Sequence, residues 1–249
     1  MIRHWLSVLL LGVALLSAGP AWAQQADSFT PAQRAEVVAI LRHALTTDPS
    51  ILRDAVVALQ ADENAHAAVP AAAALAQAGP ALTRTPGDPV AGDAAGDVTL
   101  VEFYDLRCPY CRRMVPVMAE ALRRDPHLRL VYKDIPILGP SSVLGARAVL
   151  AAQRQGGYQK LHDAIMQSDS GVITEASLQS AAVAAGLDWP RLQRDTADPA
   201  IAQRIEANVT LAHQLGIDGT PAYVVGGHLL TGAMSLADLQ AAIAIARKG

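Results

Sequence analysis

Cysteine is almost absent from this chain of 249 residues, which contains only two, Cys108 and Cys111. A disulfide-dense scaffold is therefore excluded, because such scaffolds are held by several cysteine pairs. A zinc site is disfavoured as well, since it needs about four ligands. The sequence contains no second CxxC motif and no HxxxH pair that could supply the missing ligands.

Excess positive charge is also lacking. The chain has 20 Lys and Arg against 23 Asp and Glu, a formal net charge of −3. Binding to nucleic acid depends largely on cationic side chains that neutralise phosphates. The composition therefore gives no reason to expect a nucleic-acid partner.

Long apolar runs are confined to residues 1–23. This segment has a short basic start at Arg3, an apolar run from Trp5 to Leu16, and the small-residue end Ala21-Trp22-Ala23. The layout predicts a secretory signal peptide with an A-x-A cleavage site. The alternative is an uncleaved anchor, but the run is shorter than the ~20 residues of a membrane span. We therefore expect export to the periplasm or the cell exterior, where disulfides persist.

Residues 24–63 are predicted to form a helical stalk. Thr30-Pro31 and Asp48-Pro49 are typical helix starts, with a capping residue followed by proline. Apolar residues then recur at helical spacing: Val37, Val38, Leu41 and Leu45 in the first segment, and Ile51, Leu52, Val56 and Leu59 in the second. These stripes could pack on the main domain, but we favour packing between copies of the chain, and hence a homo-oligomer, with a trimer possible.

Residues 64–87 are rich in alanine, proline and glycine and are predicted to form a linker. Within them, Pro70 to Ala78 could form an alanine-rich helix. A helical stalk separated from a domain by a linker suits oligomerisation better than completion of that domain's core.

Residues 88–249 are predicted to form the main domain. Val98 to Tyr104 is a compact apolar strand, and the two cysteines and a helix over Tyr110 to Arg124 follow it directly. A second strand is expected at 128–137, then an almost wholly helical block from Ser141 to His213. A hairpin of Tyr223–Val225 and His228–Leu230 and a last helix capped by Ser235 complete the pattern. The order is strand, helix, strand, helical block, hairpin and helix.

The cysteine pair is predicted to be a redox centre. Cys108 falls at the N-terminus of a helix, where unpaired N–H groups and the helix dipole stabilise a thiolate. We expect its sulfur to be ionised at neutral pH and within reach of solvent and of substrate polypeptides. CxxC motifs reach pKa values of ~3.5 to ~7.5, and we expect Arg107, Arg112 and Arg113 to add positive potential. Alternatives are an inert structural disulfide, which would constrain only a two-residue loop, and a two-thiolate Cu(I) site.

The segments "VEFYDLRCPYCRRM" and, far downstream, "GIDGTPAYVVGG" resemble the DsbA-like branch of the thioredoxin superfamily. The resemblance covers roughly Asp88 to Gly249. It implies an α/β thioredoxin fold with an inserted helical domain, at about residues 139–213. With its signal peptide, N-terminal stalk and CPYC pair, the chain is most similar to the ScsC (suppressor of copper sensitivity) group.

The resemblance also assigns roles to the CPYC residues. Cys108 would be the attacking nucleophile and Cys111 the resolving cysteine, with Pro109 and Tyr110 between them as part of the catalytic motif. Beyond the redox-active disulfide between the two cysteines, no cofactor is implied.

Three further residues match positions of the family. Thr220-Pro221 would be the threonine and cis-proline that lie against the CxxC pair, although an ordinary strand-opening proline is the alternative. Glu102 would be a buried acid that accepts the proton of Cys111 during exchange. The alternative for Glu102 is an exposed or ion-paired residue, for instance with Lys133.

Other notable residues have simpler interpretations. Pro116 matches the proline that kinks the active-site helix in thioredoxin-like folds. His162 and His213 form no metal-binding spacing, so we interpret both as ordinary helix residues.

The predicted function is that of a periplasmic thiol–disulfide oxidoreductase acting on exported proteins, preferably as an isomerase or reductase. Several CxxC sites on one assembly would raise their effective concentration around a misoxidised substrate. The alternatives are a DsbA-type dithiol oxidase and a Cu(I)-binding copper-tolerance protein that uses the same thiolates. Expected partners are unfolded or misoxidised exported proteins and a membrane DsbD- or ScsB-like reductant, or a DsbB-like oxidant.

Overall fold

The computed structural model describes residues 29–168 and 171–248. The signal peptide predicted over residues 1–23 lies outside the described residues, as do the first residues of the predicted stalk. The chain divides into two compact units, Met1–Asp62 and Glu63–Gly249.

The N-terminal unit contains helix α1, Pro31–Thr47, and the start of α2, Ser50–Thr83. Thr30 and Gln33 form a reciprocal capping box at the start of α1, with each side chain bonded to the other residue's backbone N–H. No residue of α1 is buried. The predicted apolar stripes are exposed, with Leu41 at 55% and Leu52 at 57%, and the side chains of Val56 and Leu59 lie outside the described residues.

The linker predicted over residues 64–87 is wrong for most of its length, because α2 continues to Thr83. Alanine has the highest helix propensity of all residues, so an alanine-rich stretch needs little else to stay helical. At its C-terminal end α2 also gains tertiary contacts. Leu75 and Leu82 are only 5% and 3% exposed and join a core cluster with Val101 and Phe103.

Five strands form one mixed sheet in the order β1-β3-β2-β4-β5. They are β1 Val90–Gly92, β2 Val98–Tyr104, β3 Leu128–Asp134, β4 Ala222–Val225 and β5 His228–Thr231. Strands β2 and β3 are parallel, and the other neighbours are antiparallel. The second strand ends at Asp134, three residues before the predicted end. Strand β1 was not predicted, because three residues are too few to show an alternating pattern.

Seven helices complete the second unit. They are α3 Pro109–Arg124, α4 Pro140–Ala152, α5 Tyr158–Met166, α6 Glu175–Ala184, α7 Trp189–Thr196, α8 Pro199–Gln214 and α9 Leu236–Ala246. The helical block between the second strand and the hairpin is therefore confirmed. Helix α7 lies within this block, and Asp188 caps it by accepting a bond from the N–H of Arg191.

The alternation of β2 determines which side chains reach the site. Leu100 and Tyr104 join one core cluster, which includes Cys108, Cys111 and Met114 of the active-site region. Because successive strand residues point to opposite faces, Glu102 lies on this same face. Val101 and Phe103 point the other way, towards the end of α2 and towards Leu211 of α8. The last helix of the predicted insertion thus also helps to cover the sheet.

Candidate active site at the Cys108–Cys111 pair

Cys108 is the N-cap of α3, and Cys111 lies in the first turn of the helix. The turn that leads into the helix is closed by a 3.0 Å bond from the N–H of Cys108 to the carbonyl oxygen of Asp105. Pro109 occupies the first helical position, where its missing N–H costs nothing. Both cysteines are free thiols in the structure. The strand-to-helix junction thus places the Cys108 sulfur at the positive end of the helix. The Cys111 sulfur lies about one turn further along.

The surroundings of Cys108 lower its pKa to about 5. The largest cause is a hydrogen bond from the Cys111 thiol, and the side chain of Thr220 and the N–H groups of Cys111 and Tyr110 add to it. Burial acts in the opposite direction but is outweighed. When Cys108 is protonated, its thiol donates to the carbonyl oxygen of Thr220 at 3.2 Å. Cys108 therefore favours the thiolate at neutral pH.

One expectation about Cys108 needs correction. Its exposed fraction is only 4%, so the thiol is less accessible than predicted, since the Thr220-Pro221 segment lies against it. The nearby arginines make contacts of their own, and their contribution to the potential at Cys108 stays a prediction. Arg107 donates to the carbonyl oxygen of Leu138, and Arg113 stacks on the ring of Tyr110 at 4.3 Å.

The Cys111 thiol is much less acidic than the Cys108 thiol. It is 1% exposed, and burial strongly raises its pKa, with further contributions from its bond to Cys108 and from the charge of Glu102. Cys111 therefore stays protonated beside the Cys108 thiolate. To act as a nucleophile it must first transfer its proton to a base.

Glu102 is placed as such a base. It is 5% exposed and lies between Tyr132 on β3 and Tyr223 on β4, its partners in the sheet register. The Tyr223 hydroxyl donates to Glu102 Oε1 at 3.2 Å. Burial raises the pKa of Glu102 to about 7. A carboxyl group with that pKa can take up and release a proton near neutrality.

The alternative ion pair between Glu102 and Lys133 is wrong. Lys133 points to the other face of the sheet, where its Nζ lies 2.7 Å from Asp88 Oδ2. Arg204 binds the second oxygen of Asp88 at 2.9 Å. Lys133 also donates to the carbonyl oxygen of Ala81 near the end of α2. Lys133 therefore fastens the end of α2 to the sheet.

The loop before β4 completes the site. The peptide bond between Thr220 and Pro221 is cis, and Pro221 is buried immediately before β4. Tyr110, the third residue of CPYC, is 52% exposed and forms part of the outer surface beside the pair. The structure thus brings Cys108, Cys111 and Thr220 into contact, with Glu102 beneath them.

Asp105 is a site residue that the sequence analysis missed. It is 1% exposed, and its carboxylate accepts bonds from the N–H of Arg107 at 2.7 Å, the N–H of Leu138 at 2.9 Å and the hydroxyl of Ser142 at 2.8 Å. Asp105 thereby ties the active-site turn to the start of α4. The available signal was an aspartate just after a buried strand, where its side chain can bond the backbone two residues on.

Metal ligands are few at this site. Within the part of the chain that the structure describes, no group of three or more His, Cys, Asp or Glu could hold a metal ion. His213 is exposed on α8, whereas His162 is buried. The two-thiolate Cu(I) alternative therefore rests on Cys108 and Cys111 alone.

The chain is similar in sequence and fold to several known proteins. Residues 99–244 match the DSBA-like thioredoxin domain family. A thioredoxin-like oxidoreductase from Silicibacter pomeroyi is 42% identical, with a TM-score of 0.67, and the match covers 69% of this chain and 98% of that one. Proteus mirabilis ScsC in a transitional conformation is 28% identical, with a TM-score of 0.65, and the match covers 89% of this chain and 98% of that one.

A third similarity covers only part of a larger protein. A Na⁺/H⁺ antiporter NhaA from Salinispora arenicola is 32% identical over 164 residues, which are 65% of this chain and 25% of the antiporter. The chain thus spans about a quarter of the curated antiporters that it matches. Among residues 29–168 and 171–248, no helix is both long and apolar enough to cross a membrane.

Proposed function

Because this chain belongs to the DsbA-like thioredoxin family of thiol–disulfide oxidoreductases, we propose that it acts on exported proteins in the periplasm as a disulfide isomerase or reductase. Cys108 is the nucleophile and Cys111 the resolving thiol. Pro109 and Tyr110 shape the turn between them, Thr220 and Pro221 flank the nucleophile, and Glu102 accepts the proton of Cys111. The redox-active group is the Cys108–Cys111 disulfide itself.

The observation that carries this proposal is the opposite acidity of the two thiols. The pKa of Cys108 is lowered to about 5, and that of Cys111 is raised. A stabilised thiolate attacks a substrate disulfide and forms a mixed disulfide, and it is also a good leaving group in the reverse step. The same stabilisation makes the Cys108–Cys111 disulfide a stronger oxidant, so the acidity supports thiol–disulfide exchange in general, and the choice between isomerase and oxidase rests on the N-terminal segment.

The preference for isomerase over dithiol oxidase rests on the N-terminal segment. Its apolar side chains are exposed in the single chain, among them Leu41, Leu45 and Ile51. The similarity to ScsC covers 89% of this chain, more than residues 88–249 alone provide. Residues 24–63 would join copies of the chain into a homo-oligomer such as a trimer, whose several CxxC sites act on one substrate.

The proposed partners follow from the direction of electron flow. An isomerase or reductase needs a membrane reductant of the DsbD or ScsB kind, whereas an oxidase needs a DsbB-like oxidant. Thiol trapping in cells distinguishes the two. We expect Cys108 and Cys111 to be trapped mainly as thiols, and a pair found mainly as a disulfide would assign the oxidase function instead.

Activity assays test the reaction itself. The purified chain should reduce insulin with a dithiol donor and reactivate scrambled ribonuclease, and Cys108→Ser should abolish both activities. Cu(I) titration of the same proteins tests the copper-binding alternative. Tight Cu(I) binding that is lost in Cys108→Ser, together with no activity of the native chain in either assay, would replace the proposal.

A further inference from the structure

The buried position of Glu102 creates a need for a proton route. Glu102 is 5% exposed, so little of its carboxyl group contacts bulk water directly. It lies, however, at the base of a cavity of about 550 Å³ between α3 and α5. A water molecule occupies ≈ 30 Å³ in the liquid, so this space has room for on the order of ten waters. Arg112 and Pro116 line the cavity from α3, and His162 and Asp163 line it from α5.

Among the described residues that line the cavity, His162 is the only histidine. Ring packing and a hydrogen bond fix the position of its side chain. It is 3% exposed, and its ring packs between Tyr104 and Tyr132, with ring centroids 5.1 Å and 5.2 Å away. Nδ1 lies 2.8 Å from Oδ1 of Asp163. The Asp163 side chain is 36% exposed. An imidazole hydrogen-bonded to a carboxylate that reaches the surface thus lines the same cavity as Glu102.

Electrostatics show that His162 is close enough to sense Glu102. A positive charge on the His162 ring would lower the pKa of Glu102 and also that of Asp134. Asp134 is a poorer candidate for passing on a proton, because its carboxylate already accepts bonds from Tyr104 at 2.5 Å and Tyr158 at 3.1 Å. The titratable or charged groups around Glu102 are Cys111 and Arg112 on α3, Tyr132 and Asp134 on β3, Tyr223 on β4 and His162 on α5.

We propose that His162, held by Asp163, carries protons between Glu102 and solvent across this cavity and so keeps Glu102 in the carboxylate form that the resolving step needs. The inference rests on the proposed function and adds a residue to it. His162 does not touch the reacting sulfurs, so it is a positioning and relay residue that acts through Glu102.

In the mixed disulfide, the Cys111 proton passes to the Glu102 carboxylate, and the Cys111 sulfur attacks the Cys108 sulfur. The Cys108–Cys111 disulfide forms, the bond to the substrate sulfur breaks, and the substrate cysteine leaves as a thiolate. The substrate disulfide is reduced by two electrons, and the cysteine pair is oxidised. The proton on Glu102 then passes through cavity water to the imidazole of His162. A proton leaves the imidazolium from Nδ1 through the carboxylate of Asp163, whose side chain is 36% exposed, to solvent.

The test separates the two chemical steps in the full-length chain. The rate of iodoacetamide alkylation reports the acidity of Cys108, and the single-turnover decay of a mixed disulfide with a model peptide reports the resolving step. In His162→Ala we expect unchanged alkylation but a resolving step that is roughly tenfold slower at pH 7. Added imidazole, which fits the enlarged cavity, should restore much of the rate. His213→Ala, on an exposed face of α8, is the matched control and should change neither step.

A second pair of variants keeps the test decisive if His162→Ala folds poorly. Asp163→Asn changes a partly exposed side chain and should slow the resolving step with a shifted pH profile. Adding Asp163→Asn to Glu102→Gln should cost no further rate, because residues that act in series are not additive.

A resolving rate that stays unchanged in His162→Ala and Asp163→Asn, or imidazole acceleration that is equal in the native chain, would overturn the relay. Failure of the proposed function looks different, since the native chain itself would then neither reduce insulin nor reactivate scrambled ribonuclease.

Discussion

The sulfur of Cys108 lies 3.2 Å from the carbonyl oxygen of Thr220, a residue 112 positions further along the chain. The contact joins the start of α3 to the loop before β4. The reactive thiol is therefore built from two distant segments, each of which supplies polar groups. The buried sulfur stays reactive because the atoms that cover it include hydrogen-bond donors and acceptors.

The Cys111 thiol is the largest cause of the low pKa of Cys108. We therefore expect the pKa of Cys108 to rise in Cys111→Ala, because the thiolate loses a hydrogen-bond donor. Cys111→Ser is the matched control, since its hydroxyl can still donate, and it should give a smaller rise. Thiolate absorbance against pH measures both variants. Equal pKa values in the native chain and in Cys111→Ala would show that the helix terminus alone acidifies Cys108.

Glu102 should make the stability of the reduced protein depend on pH. Its pKa in the folded chain, about 7, is above the ordinary 4.5, so the folded state binds the proton more tightly. The resulting stabilisation is complete below about pH 4.5 and is lost as the pH rises through 7, a difference of up to about 3 kcal/mol at 1.36 kcal/mol per unit. Glu102→Gln cannot ionise and should lack this decline.

Urea unfolding of the reduced protein at pH 5 and pH 8 measures the effect. Glu206→Gln, on an exposed position of α8, is the control and should behave as the native chain does. If Glu102→Gln loses as much stability between the two pH values as the native chain, the proton-accepting role of Glu102 is wrong.

Lys133 should contribute to stability rather than to catalysis. Its side chain is 1% exposed and bonds to Asp88, whose side chain is 2% exposed. Removal of one partner of a buried ion pair typically costs about 3–5 kcal/mol. Since Arg204 still faces Asp88 in Lys133→Met, we expect a loss near 3 kcal/mol, with unchanged insulin reduction by the folded protein.

Chemical unfolding, with exposed Lys160→Met as the control, measures this loss. A stability equal to that of the control would mean that the end of α2 is held by Leu75 and Leu82 alone.

The exposed stripe of α1 should mediate self-association. Leu41 and Leu45 are 55% and 41% exposed, so glutamate at both positions should leave the fold of the single chain intact. We expect light scattering to show an oligomer for the native chain and a monomer for Leu41→Glu/Leu45→Glu, with weaker reactivation of scrambled ribonuclease. Arg42→Glu, on the same helix, should remain an oligomer. A monomeric native chain would remove the basis for preferring an isomerase.

The parts of this protein that the sequence predicts well depend on local chemistry. Cys108, Pro109 and Cys111 follow a strongly apolar strand, and the helix start needs no distant partner. Residue alternation in β2 likewise places Glu102 in the interior. The length of α2 could not be predicted from the local sequence, because an alanine-rich segment is compatible with a linker or a helix. The packing of Leu75 and Leu82 against the sheet decides for the helix.

Residues whose role depends on distant neighbours were missed. The sequence does not distinguish Asp105 from other aspartates, because its role depends on hydrogen bonds from Leu138 and Ser142, which lie far away along the chain. His162 was interpreted as an ordinary helix residue, and only the cavity that it shares with Glu102 suggests more. The accessibility of Cys108 was overestimated for the same reason, because Thr220 and Pro221 are far away in the sequence.

The most direct test of the account is the acidity of Cys108 in the reduced, native chain. The rate of its alkylation should be measured from pH 3 to pH 10, with Cys108→Ser correcting for any reaction at Cys111. We expect a midpoint about pH 5, where the thiolate forms. A midpoint near 9, the ordinary value for a cysteine, would contradict the claim that this site holds a stabilised thiolate.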